Sequence, residues 1–139
     1  MKQYLIFRLA NQHYAMEITQ VIQVTKEENL VQTPFLSEPI KGLMLIRNSV
    51  VPIVDTRTKW KIATNGSYET KGHIIVMNLR GQLVGYWVDE VIKIGFWKDE
   101  ALTTITWSKA LRDKVWIKKV YTKEQENIGI VELEAFEME

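Results

Sequence analysis

Apolar residues fall in short runs along this chain, rich in Val, Ile, Tyr, Phe and Trp and separated by polar or turn-forming residues, a spacing that predicts β-strands rather than helices. Tyr4 to Leu9 is the first run; Ala10-Asn11-Gln12 reads as a turn and His13 to Ile18 as the return strand of a hairpin. Val21 to Val24 adds a short extended piece before the polar loop Lys26-Glu27-Glu28-Asn29. Ser37 is a helix cap candidate, with Glu38 and Pro39 in a first turn and Gly42 at the end. Leu43 to Ile46 and Val50 to Val54 predict two strands around the tight turn Arg47-Asn48-Ser49. Pro52 lies inside the second and cannot donate to a ladder, so that strand is expected at an edge or short of one bond. Asp55 to Ile62 fits one helical turn, and Ala63 to Gly72, with Thr64, Asn65, Gly66 and Ser67, reads as a linker.

Further on, His73 to Leu79 and Leu83 to Val88 form a hairpin across Arg80-Gly81, and Val91 to Ile94 extends again after Asp89-Glu90. Asp99 to Leu111 is ambiguous, because Thr103, Thr104 and Thr106 weaken its helical spacing. Val115 to Tyr121 and Ile128 to Leu133 form a last hairpin, and Glu134 to Glu139 reads as a frayed helical turn. About nine or ten strands with regular turns are the mark of barrels or sandwiches, so the fold is expected to be all-β. Val51 to Asp55 and Val84 to Asp89 both end in valine-aspartate, a faint echo that suggests two related halves. The expected core includes Phe7, Leu9, Ile18, Ile46, Val54, Ile75, Val88 and Ile130.

With 139 residues, one domain is expected. Eighteen Lys and Arg against seventeen Asp and Glu give +1, which argues against a strongly basic nucleic-acid binder. The absence of cysteine excludes disulfides, iron–sulfur clusters, cysteine zinc sites and thiol nucleophiles. No apolar stretch is long enough for a signal-peptide core or a membrane span.

Catalysis needs converging titratable or nucleophilic groups, and few are offered. His13 and His73 both sit in predicted strands, and no serine is framed by a nucleophile elbow. Asp89 and Glu90 are consecutive and point to opposite faces of a strand, which fits a solvated strand end better than paired carboxylates. No spacing fits a metal site or a phosphate loop. Two features remain. From Trp107 to Lys123, six cations (Lys109, Arg112, Lys114, Lys118, Lys119 and Lys123) interleave with Trp107, Trp116 and Tyr121, opposed only by Asp113. This is either a single-stranded nucleic-acid groove on an OB-like barrel or a core hairpin with exposed lysines. On a regular strand, one lysine would face the core and must snorkel or mark a bulge. The second feature is the block Gly42 to Asp55, where Arg47 stands at a hairpin tip between apolar strands; it is either a hydrogen-bonding anchor or a solvated turn residue.

This block resembles the signature of the CheW-like chemotaxis adaptor family, roughly G-x-x-N-L-R-G-x-x-x-P-V-x-D-L, matched here by Gly42, Arg47, Pro52 and Asp55. Phe7-Arg8-Leu9 with Tyr14 to Ile18 resembles the family's opening hairpin. Val21-Ile22-Gln23-Val24 resembles its V-x-E-I element, and Val84 to Val91, with Gly85 and Asp89, its V-G-x-x-V-D-x-V strand. The motifs run in order from about Tyr4 to Phe136. Departures are Leu45 for the usual asparagine, Asn48 for glycine, Gln23 for glutamate, Thr56 for an apolar residue and Lys119 for glycine.

The resemblance implies two small five-stranded SH3-like barrels packed on a common core, interleaved in a single domain with the linker near residues 63–72. It implies a cytoplasmic, non-catalytic scaffold with no cofactor and no metal, peripheral to membrane receptor arrays. It implies as partners the regulatory domain of a histidine kinase and the cytoplasmic tip of chemoreceptors, with no nucleic acid and no membrane insertion. Val21, Gln23, Leu45, Arg47, Asn48, Val84 and Val88 match partner-facing positions, with Arg47 held by hydrogen bonds that could include Gln23. Val21, Gln23 and Leu45 would face the receptor, with Val84–Val88 lying across from them on the other barrel. Gly42, Pro52, Asp55, Gly85 and Asp89 match structural ones.

Overall fold

The computed structural model describes residues 1–32, 34–62, 71–108, 117–124 and 126–137. Its elements run β1 (Lys2–Leu9), β2 (Gln12–Glu17), a 3-10 turn (Ile18–Gln20), β3 (Val21–Lys26), β4 (Ile40–Ile46), β5 (Ser49–Asp55), α1 (Thr56–Lys59), β6 (His73–Leu79), β7 (Gln82–Val88) and β8 (Glu90–Trp97). A 3-10 turn (Asp99–Ala101), β9 (Leu102–Thr104), β10 (Ile117–Lys123), β11 (Glu126–Val131) and α2 (Glu134–Glu137) follow.

Among the described residues the strands form two sheets, one of six in the order β8-β1-β2-β11-β10-β9 and one of five in the order β3-β6-β7-β5-β4. The all-β expectation holds, with the three-residue β9 as a sixth strand in one sheet. The five-stranded sheet is one continuous stretch of chain inserted between β2 and β8. Its two end strands meet again: Val31 and Leu43 exchange backbone hydrogen bonds of 2.9 and 2.8 Å beyond β3. Gly42 belongs to this closure rather than to a helix end, because a Cβ there would stand 2.6 Å from the Val31 carbonyl. In the other sheet, Trp97 of β8 stacks on Tyr121 of β10 with ring centroids 4.3 Å apart.

Among the described residues, three apolar clusters form the interior. One lies inside the five-stranded sheet (Met44, Ile46, Val51, Ile53, Ile74, Val76, Trp87) and one inside the six-stranded sheet (Tyr4, Ile6, Ala15, Ile128, Ile130). The third is shared between the sheets and includes Leu5, Phe7, Leu9 and Met16 from one and Ile75, Met77, Tyr86 and Val88 from the other. Alternation along each strand explains this: Ile74 and Val76 point into their own sheet's interior, Ile75 and Met77 into the shared core.

Several expectations need correction. No helix follows Ser37; β4 begins at Ile40, because Ile40 to Ile46 has the period-two burial of a strand and pairs with β5. Pro52 sits on an internal strand, between β7 and β4, but just before parallel pairing with β7 starts at Ile53. The Val51–Asp55 and Val84–Asp89 segments are not two halves: they are β5 and β7, neighbours in one sheet. Of the expected core, Ile18 and Val54 are only half-buried, since Ile18 falls in the 3-10 turn and Val54 packs at the rim of the shared core. The tail is not frayed where it is described: Ala135 and Phe136 are buried in the shared core. Residues 63–70 of the expected linker lie outside the described residues; Gly72, at its end, is buried and accepts a 3.1 Å hydrogen bond from the Glu27 N–H.

The Tyr86 hydroxyl donates a 2.7 Å hydrogen bond to the Phe136 carbonyl in this core, and burial pushes its pKa above the ordinary 10.0. Burial likewise raises Tyr14 and Tyr4. The folded chain therefore holds protons that the unfolded chain releases near pH 10. That stability is fully present below this pH and is lost as pH rises above it, by up to about 1.4 kcal/mol per pH unit per group. Urea unfolding followed from pH 9 to 11.5 should show this loss, and Tyr86→Phe should make the slope shallower.

Candidate functional site

The β4–β5 hairpin turns on Arg47 and Asn48, both with positive φ, 52° and 63°. Two central residues in that region make the turn whose twist suits a two-residue hairpin, and asparagine tolerates it better than most residues other than glycine. The turn aims Arg47 across the open side of the sheet, where its Nε donates a 2.8 Å hydrogen bond to the Gln23 Oε1 on β3. Since β3 and β4 are the two ends of the sheet, this bond from the turn clasps those ends together. The amide of Gln23 gives the arginine a neutral acceptor where glutamate would give an ion pair.

On the outer side of this hairpin, Leu45 and Val50 lie directly opposite each other and are 72% and 67% exposed. Val31 and Val24 are also exposed. Val50 was not singled out in the sequence, although a two-residue turn at Arg47-Asn48 puts it across from Leu45. Val21, Met77 and Val84 form one row across β3, β6 and β7; Met77 is buried, while Val21 and Val84 are half-buried at the rim of the shared core. Val84–Val88 was expected on the opposite barrel, but β7 lies two strands from β3 in the same sheet. Val88 is fully buried in the shared core and presents no surface.

The structural positions cluster around Asp89. Asp55 caps α1, its Oδ1 accepting from the N–H groups of Arg57 at 3.0 Å and Thr58 at 3.4 Å. Arg57 then pairs with Asp89 through Nε at 2.7 Å and through a terminal nitrogen. Asp89 also accepts a 2.8 Å bond from the Ala10 N–H. It is thus a buried brace and not a solvated strand end, whereas Glu90 is exposed and pairs with Arg8. Arg57 went unremarked in the sequence; its signal was its place two residues after the capping Asp55. Gly85 lets β5 and β6 close in, since a Cβ there would stand 2.5 Å from Ile53 and 2.7 Å from Ile74 side-chain carbons.

The basic–aromatic segment turns inward where it is described. The Trp107 indole donates to the Ile117 carbonyl at 2.8 Å, and Tyr121 stacks on Trp97. Lys118 is the bulged residue between Ile117 and Lys119, turned outward to Glu134 at 3.3 Å and Glu132 at 3.9 Å. Trp116 and residues 109–115 lie outside the described residues. The described aromatics are therefore occupied by the protein's own groups rather than offered to bases. His73 accepts the Val91 N–H at its Nδ1, 3.1 Å away, and His13 is half-buried in β2. Among the described residues no His, Asp or Glu cluster could hold a metal, and no helix is long and apolar enough to cross a membrane.

Comparison with known proteins agrees with this geometry. The chain is 33% identical over 91 residues to the chemotaxis protein CheW of Klebsiella aerogenes, covering 65% of this chain and 54% of that protein. It is 28% identical over 88 residues to the chemotaxis protein CheW of Bacillus subtilis, covering 62% of this chain and 54% of that one. The chain thus spans about half the length of the curated relatives it matches. Its fold is similar to that of the scaffolding protein TtCheW from Thermoanaerobacter tengcongensis, with a TM-score of 0.78 at 23% identity over 95% of this chain and 84% of that one. The CheW-like domain family matches residues 3–136, nearly the whole sequence, and the chain belongs to that family.

Proposed function

We propose that this protein is a non-catalytic adaptor that couples the cytoplasmic tip of chemoreceptors to the regulatory domain of a histidine kinase, working in the cytoplasm beside the membrane. The observation that carries this is the exposed Leu45–Val50 pair beside the Arg47–Gln23 clasp, an apolar surface on a rigid hairpin. Such a surface suits a helix that lays its apolar face on a barrel. Family membership over residues 3–136 supports the same reading. Val21 and Val84 are half-buried at the rim of the shared core, and Asn48 keeps the turn that positions Arg47. Signalling contacts of this kind are small, so affinity in the micromolar range or weaker is expected for isolated partners.

Titration calorimetry with a receptor tip and with a kinase regulatory domain tests the proposal. Leu45→Lys should lower receptor binding at least tenfold while leaving stability within about 0.5 kcal/mol, because the side chain is exposed. Unchanged binding to both partners would overturn the assignment of this surface. Arg47→Ala opens the clasp; it should cost about 1 kcal/mol of stability and several-fold in receptor affinity. Gln23→Glu should preserve the clasp and make it salt-sensitive, because it replaces a neutral acceptor by a carboxylate. Receptor binding and stability unchanged in both Arg47→Ala and Gln23→Glu would reduce Arg47 to a solvated turn residue.

A further inference from the structure

The sheet ends of this fold are treated unequally: backbone hydrogen bonds bridge them in the five-stranded sheet, whereas in the six-stranded sheet Trp97 of β8 reaches the far side through its ring stack on Tyr121. The ends of the five-stranded sheet are joined by the Val31–Leu43 bridge and the Arg47–Gln23 bond. In the six-stranded sheet, β9 is three residues long, but β8 at the other end runs for eight residues. Among the described residues no strand pairs with the outer edge of β8. A long strand edge of this kind is a template for another chain. It is also apolar: Ile92, Ile94 and Phe96, at alternate positions, are all exposed, Phe96 by 56%. Charges bracket them, with Glu90 at one end and Lys98 at the other, both exposed.

That order of residues is self-complementary. If two copies of β8 pair antiparallel with Ile94 opposite Ile94, then Ile92 meets Phe96 and Glu90 meets Lys98, twice over by symmetry. Lys93 meets Gly95, so the one cation inside the strand faces no like charge. Moving the centre to Lys93 would set Lys93 against Lys93, which is destabilising. The bulge that β8 forms against β1 at Ile92 bends the strand and disfavours longer pairings. Charge therefore favours the Ile94-centred register over the Lys93-centred one. We propose that a second copy of this chain adds to the outer edge of β8 in this register, making a two-fold symmetric dimer with a sheet continuous across both copies. This goes beyond the adaptor reading and stands apart from the hairpin surface on the other sheet. The symmetric contact closes on itself and uses the same patch from each copy. Three apolar side chains and a short ladder per copy place it in the small, weak class of interfaces, with dissociation on the order of 100 µM.

Sedimentation velocity on the full chain from about 10 µM to 1 mM provides the test. The weight-average mass should rise toward twice the monomer value with concentration. Ile94→Lys should hold it at the monomer value while circular dichroism shows an intact fold. Glu90→Lys and Lys98→Glu should each weaken association several-fold, and the double swap should restore it, a recovery that a merely misfolded variant would not give. A monomer at every concentration would overturn the proposal, as would association that Ile94→Lys leaves unchanged. Binding of a kinase regulatory domain that is lost in Ile94→Lys, with no self-association in the parent, would assign the edge to a different strand and overturn it too. Because Leu45→Lys lies on the other sheet, it should leave self-association intact, which separates this result from any failure of the adaptor reading.

Discussion

Asp89→Ala should destabilise the protein by about 3–5 kcal/mol, the loss expected when one member of a buried ion pair is removed. Asp89 stands between β7 and β8, where the chain leaves the five-stranded sheet for the six-stranded one. Its carboxylate binds Arg57 beside the first sheet and the Ala10 N–H in the β1–β2 turn of the second. Its own N–H donates to the Arg8 carbonyl at 3.1 Å. The Asp89 and Arg57 side chains are each 8% exposed, so water cannot replace what the alanine removes. The substitution takes the carboxylate from a buried guanidinium and leaves the Ala10 N–H without its acceptor. Asp89→Asn should fall between, since the amide can still accept one of these bonds. Replacing both residues, as Arg57→Met with Asp89→Leu, should recover much of the loss, because apolar residues of similar size often substitute for a buried pair. Urea midpoints for the two singles and the double give the coupling directly. A cost below 1 kcal/mol for Asp89→Ala would mean that the carboxylate is in effect solvated and that the sheets are held by apolar packing alone.

The contrast between Asp89 and Arg47 shows what the sequence could convey. Strands were legible because burial on one face imposes period two, and His73 to Leu79 appears in the structure with the predicted bounds. The Arg47 turn was legible because Arg47-Asn48-Ser49 is a short polar break between apolar runs, and the register narrows it to Arg47 and Asn48. What pairs with what was not. The same valine-aspartate ending in β5 and β7 suggested a repeat, yet the two strands lie side by side, and their aspartates do different work: one caps α1, the other takes the arginine of α1. A strand-by-strand reading cannot see that Arg57 and Asp89 converge, because they are far apart in sequence and the link is made by parallel pairing of β5 with β7. The helix expected after Ser37 failed for a related reason. Local capping residues favoured it, but Ile40 to Ile46 gains more from the ladder with β5 and from placing Met44 and Ile46 in the core. Val88 was assigned to a partner surface by resemblance alone; alternation with the exposed end of β7 could not say which face the second sheet covers. The candidate surface itself was half legible. Leu45 and Arg47 stood out by type and place, whereas Val50 became visible only with the hairpin register.

Phe136→Ala should cost about 3–5 kcal/mol, the loss typical of emptying a buried aromatic site. The residue lies in α2, a four-residue helix that looks in sequence like an acidic, solvated tail. In the fold its ring is 1% exposed and packs against Trp60 and Tyr86, with centroids 5.2 and 4.8 Å away. The backbone around it is tied down as well. The Trp60 indole donates to the Ala135 carbonyl at 2.9 Å and the Tyr86 hydroxyl to the Phe136 carbonyl. Alanine removes the ring that fills the space between Trp60 and Tyr86, and both hydrogen bonds then hold an α2 that has lost its apolar anchor. The cavity opens into the shared core, where Phe7 also meets Trp60. The loss should therefore appear in both sheets at once: a lower urea midpoint and faster amide exchange on β1 of one sheet and β7 of the other. Phe136→Leu, which keeps much of the volume, should cost no more than about 1.5 kcal/mol. If Phe136→Ala speeds exchange only within α2 and leaves β1 and β7 unchanged, the tail is a peripheral cover and the two sheets keep their common core without it.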